Sequence, residues 1–349
     1  MFDKIKKSLS TETPFVVYAK PNKSEINGLF QRDNSLNYLE DFSKAGFVLA
    51  PFDYRQKSVF IPLEKSDFFQ EKLSENFSEK LNSPEITYSE NDKNKFEDLV
   101  KKMISEIKKG KISKMIASRT EDFYADNLDI SVIYRKMFYN YTNTFRYCFY
   151  HPKIGVWIGA TPEKLLSIEK NIFQTMAFAG TQKFEGKTDV TWQEKEREEQ
   201  QIVTDFIVET LSSEADKIEV SSPFTTKAGT LLHIQTDIKA ELKSDFSLNK
   251  IIEKLHPTPA VCGFPKDLSK EFIIKNEGYN RNFYTGFLGE LNLVQNIASE
   301  FYVNLRCMEI EDKRVRFYIG CGITKDSDPE KEFFETVNKS ATMKNVFLY

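Results

Sequence analysis

Short apolar runs, each long enough for one strand and each bounded by polar residues, recur along this chain and limit its fold more than any other feature. They begin with PFVVYA (14–19), AGFVLAPF (45–52) and SVFIPL (58–63). Similar runs predict strands at Ile112–Ser118, Thr144–Tyr150, Val156–Ile158, Leu165–Ile168, Leu231–Lys239, Phe283–Glu290, Ala298–Glu309 and Arg316–Gly320. Helical spacing predicts a helix from about Asn94 to Lys109, stopped by Gly110, and a long one from about Trp192 to Ser212. Shorter helices are predicted at Leu248–Leu255 and Leu268–Asn276. A last helix runs from Pro329 towards the C-terminus, opened by Ser327-Asp328-Pro329-Glu330 with a cap residue, a first-turn proline and acids at the positive end of the dipole. Strands and helices do not alternate one for one, which argues against βαβ winding and predicts an α+β fold of mainly antiparallel β-sheets flanked by helices. No linker or repeat interrupts the 349 residues, so one large domain is expected over 1–349, less distinct over the strand-rich residues 1–92 and motif-bearing over 93–349.

The 49 basic and 52 acidic residues nearly cancel, leaving a net charge of −3, so neither nucleic acid nor an anionic membrane is expected as a partner. No stretch approaches the roughly 18 apolar residues of a membrane span. The N-terminal MFDKIKKSLSTETPFVVYAK lacks an apolar signal core. Cys148, Cys262, Cys307 and Cys321 show no Cys-x-x-Cys spacing and are too few for a disulfide scaffold. Reduced, buried thiols in a cytoplasmic protein are expected.

Carboxylates in line with an apolar stripe are the first chemical signal. In WQEKEREEQQIVTDFIVETL the stripe is Ile202, Val203, Phe206 and Ile207; at about 100° per residue Glu199 falls near its middle and Glu196 within it. The last helix repeats the arrangement with Glu332 and Glu335, and Lys339 follows on the same side. Buried carboxylates must be paired, protonated or bound to a cation, and such hard oxygens suit Mg²⁺. A solvated helix end and a surface ion pair are the plainer readings of the same residues. In KISKMIASR, alternation puts Lys114 on one strand face with Ile112 and Ile116, where lost hydration favours the free amine a general base needs. A strand-end lysine snorkelling to water fits the same pattern. Glu163 lies in a turn, in GATPEKLL. AFAGTQ (177–182) and YIGCGIT (318–324) each end a predicted strand with glycines whose N–H groups could meet an anion, without P-loop or dinucleotide spacing. Arg306 shares a predicted strand face with Asn304 and could clamp a carboxylate. His233, among the apolar residues of LLHIQT, reads by itself as a core histidine.

In order and spacing, these segments resemble the chorismate-utilising enzymes from about Lys111 to Lys339. The motifs are KISKMIASR, GATPEKLL, AFAGT, KEREEQQIV, HIQT, LHPTPAVCGFP, Tyr-x-Gly at Tyr284–Gly286, LRC and GCGIT-x₃-DPE-x-EF-x-ET-x₂-K. The resemblance implies one α+β domain, often monomeric, holding chorismate and Mg²⁺ in a deep cleft. It implies Glu199 and Glu335 as metal ligands, with Glu196 and Glu332 shaping the metal and substrate site. Gly180, Thr181, Tyr284, Arg306, Gly320, Gly322 and Lys339 would hold the carboxylates and ring, with His233 near the ring.

The form LHPTPAVCG, with Lys114 in place, resembles the isochorismate synthases of menaquinone or siderophore biosynthesis. Their implied mechanism has Lys114 as the base for water attack at C2 and Glu163 as the acid for the departing C4 hydroxyl. Ala179 stands where aminodeoxychorismate-forming members often carry a nucleophilic lysine. Ala260, at the substrate site, replaces the Thr or Ser usual in ammonia-using members, so no obligatory amidotransferase is expected. A salicylate synthase and an ammonia-dependent anthranilate or aminodeoxychorismate synthase component are the alternatives. Two positions depart from the family pattern: Gln182 replaces a common Arg, and Gln200 a frequent His.

Overall fold

A strand that is apolar at every position needs cover on both faces, and the architecture supplies it. The computed structural model describes residues 1–73, 88–126, 128–228, 231–294 and 298–347. In Phe15–Ala19, Phe15, Val17 and Ala19 face a cluster beneath helices, while Val16 and Tyr18 face a second cluster between two sheets. The first sheet runs from Gly263–Phe264 through Lys114–Tyr124, Arg314–Ile323, Cys307–Glu311, Gly155–Thr161, Phe145–His151, Phe15–Ala19 and Glu25–Gln31 to Ser66–Lys72. The second runs from Ala215–Val220 through Leu231–Leu242, Ile172–Lys183, Lys164–Glu169, Ala298–Val303, Phe287–Val294, Gly46–Ala50 and Val59–Pro62 to Asn37–Tyr38. Neighbouring strands are antiparallel, as expected.

Aromatic side chains fill the space between the sheets. Phe145 stacks on Tyr302 at 4.3 Å and Trp157 on Tyr318 at 5.4 Å, beside Tyr18, Phe47 and Tyr147. Helices cover the outer faces: Phe2–Ser10, Ile130–Asn140 and the end of Pro329–Phe347 lie on the first sheet, Glu194–Ser212 and Leu248–Leu255 on the second. The N-terminal strands enter both sheets, since Phe15–Ala19 pairs with Phe145–His151 and Gly46–Ala50 with Phe287–Val294. No described helix is long and apolar enough to cross a membrane, and all four cysteines are buried and unpaired.

Several elements differ from expectation, most of them next to the site. Ala298–Glu309 is not one strand: it divides into Ala298–Val303 in the second sheet and Cys307–Glu311 in the first. Arg306 takes a φ of 48° in the link, so it shares no strand face with Asn304 and sits where the chain crosses between sheets. Both halves are apolar, so local periodicity could not show the break. Phe283–Glu290 begins late, at Phe287, because Tyr284–Gly286 is a tight turn. Thr285 has φ 59° there, and a side chain on Gly286 would come within 1.9 Å of the Ala50 carbonyl. Neither glycine segment ends its strand: Gly180 lies within Ile172–Lys183, and Gly320 and Gly322 lie within Arg314–Ile323. The helix expected from Trp192 starts at Glu194, and the Trp192 indole instead donates to Thr225 Oγ1 at 2.9 Å. Two observed helices, Phe2–Ser10 and Ile130–Asn140, are not among the expected elements.

Candidate active site

The predicted glycine segments converge on one cleft. Between Ala179 and Gln182 the ladder with Leu231–Leu242 slips, so Gly180 and Thr181 bulge opposite His233. Gly180 has φ 72°, a backbone region that glycine enters without strain. Across the cleft, a Cβ on Gly320 would lie 2.8 Å from both the Ala117 carbonyl and the Tyr284 hydroxyl. One on Gly322 would lie 2.0 Å from Glu199 Oε1. These two glycines therefore make room for Tyr284 and Glu199.

The floor is ionic. Glu199 on Glu194–Ser212, mostly covered but open to the cleft, lies 2.9 Å from Lys114 Nζ on Lys114–Tyr124. Burial alone would raise the Glu199 carboxyl, but Lys114, with Lys195 and Lys339, holds it below the usual carboxylate range. Glu335 pairs with Lys339 at 2.7 Å, and Lys339 also donates to the Gly320 carbonyl at 3.2 Å. Burial opposes the Lys339 charge, yet Glu335 prevails and raises its affinity for the proton. Glu163 stands apart, in the turn between Gly155–Thr161 and Lys164–Glu169. Burial pushes its carboxyl up to about 8, against the pull of Lys114 and Arg306. It is therefore protonated at neutral pH. Arg306, lowered to about 10 by burial, keeps its charge.

Most of the predicted residues line this cleft: Glu163, Gly180, Thr181, Glu196, Glu199, His233, Ala260, Tyr284, Arg306, Gly320, Gly322, Glu335 and Lys339. Two do not. Lys114 lies behind Glu199, fully buried and without a well-angled hydrogen bond. Glu332, expected at the substrate, is turned away and bonded to Lys195, with its carboxyl raised by burial and by Glu335 despite Lys195. Its Oε2, like Glu196 Oε2, is buried without a hydrogen-bond partner. Lys195 itself lines the cleft and was not predicted. Its one sequence signal is its place in the first turn of the glutamate helix, ahead of Glu196.

No group of three or more His, Cys, Asp or Glu side chains gathers as a metal site among the described residues. Mg²⁺ asks for less: one or two carboxylates, with water and substrate oxygens completing the shell. The donor set fits that demand, with Glu199 and Glu335 in the cleft beside Glu196, whose buried Oε2 has no hydrogen-bond partner.

A family model described as chorismate binding enzyme matches residues 42–348. The chain belongs to this family. Isochorismate synthase EntC of Escherichia coli (strain K12) is 28% identical over 314 residues, covering 85% of this chain and 79% of that protein. Anthranilate synthase component 1 of Archaeoglobus fulgidus is 27% identical over 297 residues, covering 82% of this chain and 71% of that protein. In fold, the chain is similar to the solved structure of MenF, the menaquinone-specific isochorismate synthase from Escherichia coli. The TM-score is 0.80 at 21% identity, over 96% of this chain and 88% of that one. The family and fold expected from the motifs are thus those observed.

Proposed function

We propose that this chorismate-binding enzyme is an isochorismate synthase that depends on Mg²⁺. The observation that supports this most is Glu163, a buried carboxylic acid facing the cleft with its proton retained up to about pH 8. Such a group gives a proton to a poor leaving group at neutral pH. In the proposed reaction, water oxygen bonds to C2 of chorismate, the ring double bonds shift, and the C4–O bond breaks. Glu163 protonates the departing hydroxyl, which leaves as water. Lys114 accepts the proton of the attacking water as the free amine, which requires its Nζ to part from Glu199 and first to release its own proton to solvent. Arg306 and Lys339 bring positive charge for the substrate carboxylates, and Tyr284, stacked on Tyr318 at 5.3 Å, lines the cleft with them. Glu199 and Glu335 are the ligands we assign to Mg²⁺, which when bound offsets the charge of a substrate carboxylate.

Ala179 and Ala260 both line the cleft and bring neither amine nor hydroxyl to it, which favours water over an amine nucleophile. The test is to incubate the purified protein with chorismate and Mg²⁺, with and without ammonium, and identify the products by chromatography. Isochorismate formed equally in both is expected. Salicylate with pyruvate as sole products, or an aminated product needing ammonium, would move the assignment to another reaction.

A further inference from the structure

His233 has both ring nitrogens engaged. Nδ1 lies 2.8 Å from the Gly180 carbonyl oxygen, and Nε2 lies 3.0 Å from a terminal nitrogen of Arg306. A guanidinium carries only donors, so Nε2 must present its lone pair. The ring proton then sits on Nδ1, which donates to Gly180. We infer that His233 is a positioning residue, which as its neutral Nδ1–H tautomer ties the Gly180–Thr181 bulge to the Arg306 guanidinium and sets the angle at which Arg306 meets a substrate carboxylate. The inference rests on the proposed reading of the cleft and deepens it, since neither nitrogen is left to exchange a proton with substrate.

The surroundings fit this assignment. Arg306 lies in the link between the two sheets, outside both ladders, so its long side chain is not oriented by strand pairing. An acceptor fixed on a strand limits the rotamers that would otherwise be lost on binding. His233 is such an acceptor: it lies in Leu231–Leu242, paired with Thr226 on one side and facing the bulge on the other. The Phe178 ring, 4.5 Å away, limits its rotation. Burial, with Arg306 and Lys339 nearby, pushes the imidazole well below its ordinary value and keeps it neutral.

The chain has three histidines, His151, His233 and His256, so ¹⁵N-labelled imidazole spectra can be assigned by loss of one set in a His233 variant. The wild-type protein should show His233 as the neutral Nδ1–H form. An Nε2–H tautomer, or an imidazolium at neutral pH, overturns the inference. The kinetic arm uses chorismate with Mg²⁺. His233→Phe removes the acceptor and should raise KM roughly ten- to a hundredfold, the worth of a hydrogen bond to a charged group, with a much smaller change in kcat. His233→Gln, whose amide oxygen can accept from Arg306, should recover most of that KM, whereas His233→Asn is too short to do so. An unchanged KM in folded His233→Phe, or equal losses in the Phe and Gln variants, overturns it as well. The tautomer measurement needs no turnover. It therefore decides the geometry even if the product assay assigns the enzyme a different reaction.

Discussion

Arg281 should be the most costly single charge to remove from beneath the cleft. Its guanidinium pairs with Glu277, with Nε 2.7 Å from Glu277 Oε2, and both side chains are almost wholly buried. It also donates to the carbonyls of Val261 and Ile116 at 2.9 Å each, and to Thr285 Oγ1 at 3.2 Å. Glu277 in turn accepts from the Ser118 amide at 2.9 Å and hydroxyl at 2.7 Å. One ion pair thus ties the Lys114 strand, the segment after Ala260 and the Tyr284 turn together. Arg281→Met preserves much of the apolar volume but leaves Glu277 a buried charge without its cation, at a cost of about 3–5 kcal/mol. The two carbonyls that lose a donor add about 1 kcal/mol each or more. Against a usual folding stability of about 5–15 kcal/mol, that is a large fraction. Urea unfolding followed by tryptophan fluorescence should show the loss as a fall in midpoint at constant slope. The double variant Arg281→Met with Glu277→Gln removes both charges and should be more stable than Arg281→Met alone. A single-variant loss under about 1 kcal/mol, or a double variant no more stable than the single, would refute the assigned importance of this pair.

Glu163 makes a prediction with a definite sign. Its carboxyl is raised in the fold, so its contribution to stability is fully present below the ordinary carboxylate value and is lost as pH rises through about 8. Urea midpoints from acid to pH 9 should fall more in wild type than in Glu163→Gln, and kcat/KM should lose its acid-dependent limb near the same pH. Lys114→Ala should abolish turnover and leave Glu199 buried without its cation; added Mg²⁺ should then raise the melting temperature more in the variant than in wild type. An equal Mg²⁺ response in both would argue against Glu199 as a ligand. Gly322→Ala pushes a Cβ against Glu199 Oε1 and should raise the Mg²⁺ needed for half-maximal rate by roughly ten- to a hundredfold, measured in the chorismate assay.

By itself the sequence determined what local pattern can determine. Runs such as PFVVYA are strands because each is apolar over one strand's length, and Gly110, at φ 85°, closes the turn after Glu90–Ile107 as a terminal glycine should. Helical spacing placed Glu199 and Glu335 where the cleft needs carboxylates, because residues three or four apart share a face whatever they pack against. The order of the motifs was sufficient to indicate the family. Helical spacing also anticipated the Glu335–Lys339 pair, but only the tertiary structure decided which charges meet between elements. Lys114 pairs with Glu199 instead of snorkelling to water, Glu332 pairs with Lys195 outside the cleft lining, and Arg306 sits at a crossing between sheets that looked like one strand. His233, a core histidine by its neighbours in sequence, became the partner of an arginine because a bulge on one strand and a link between sheets were brought to its two nitrogens. Periodicity records how one element meets its surroundings. Charge pairing and tautomer choice depend on distances of a few ångströms between elements far apart in the chain, and those distances exist only once the two sheets have packed.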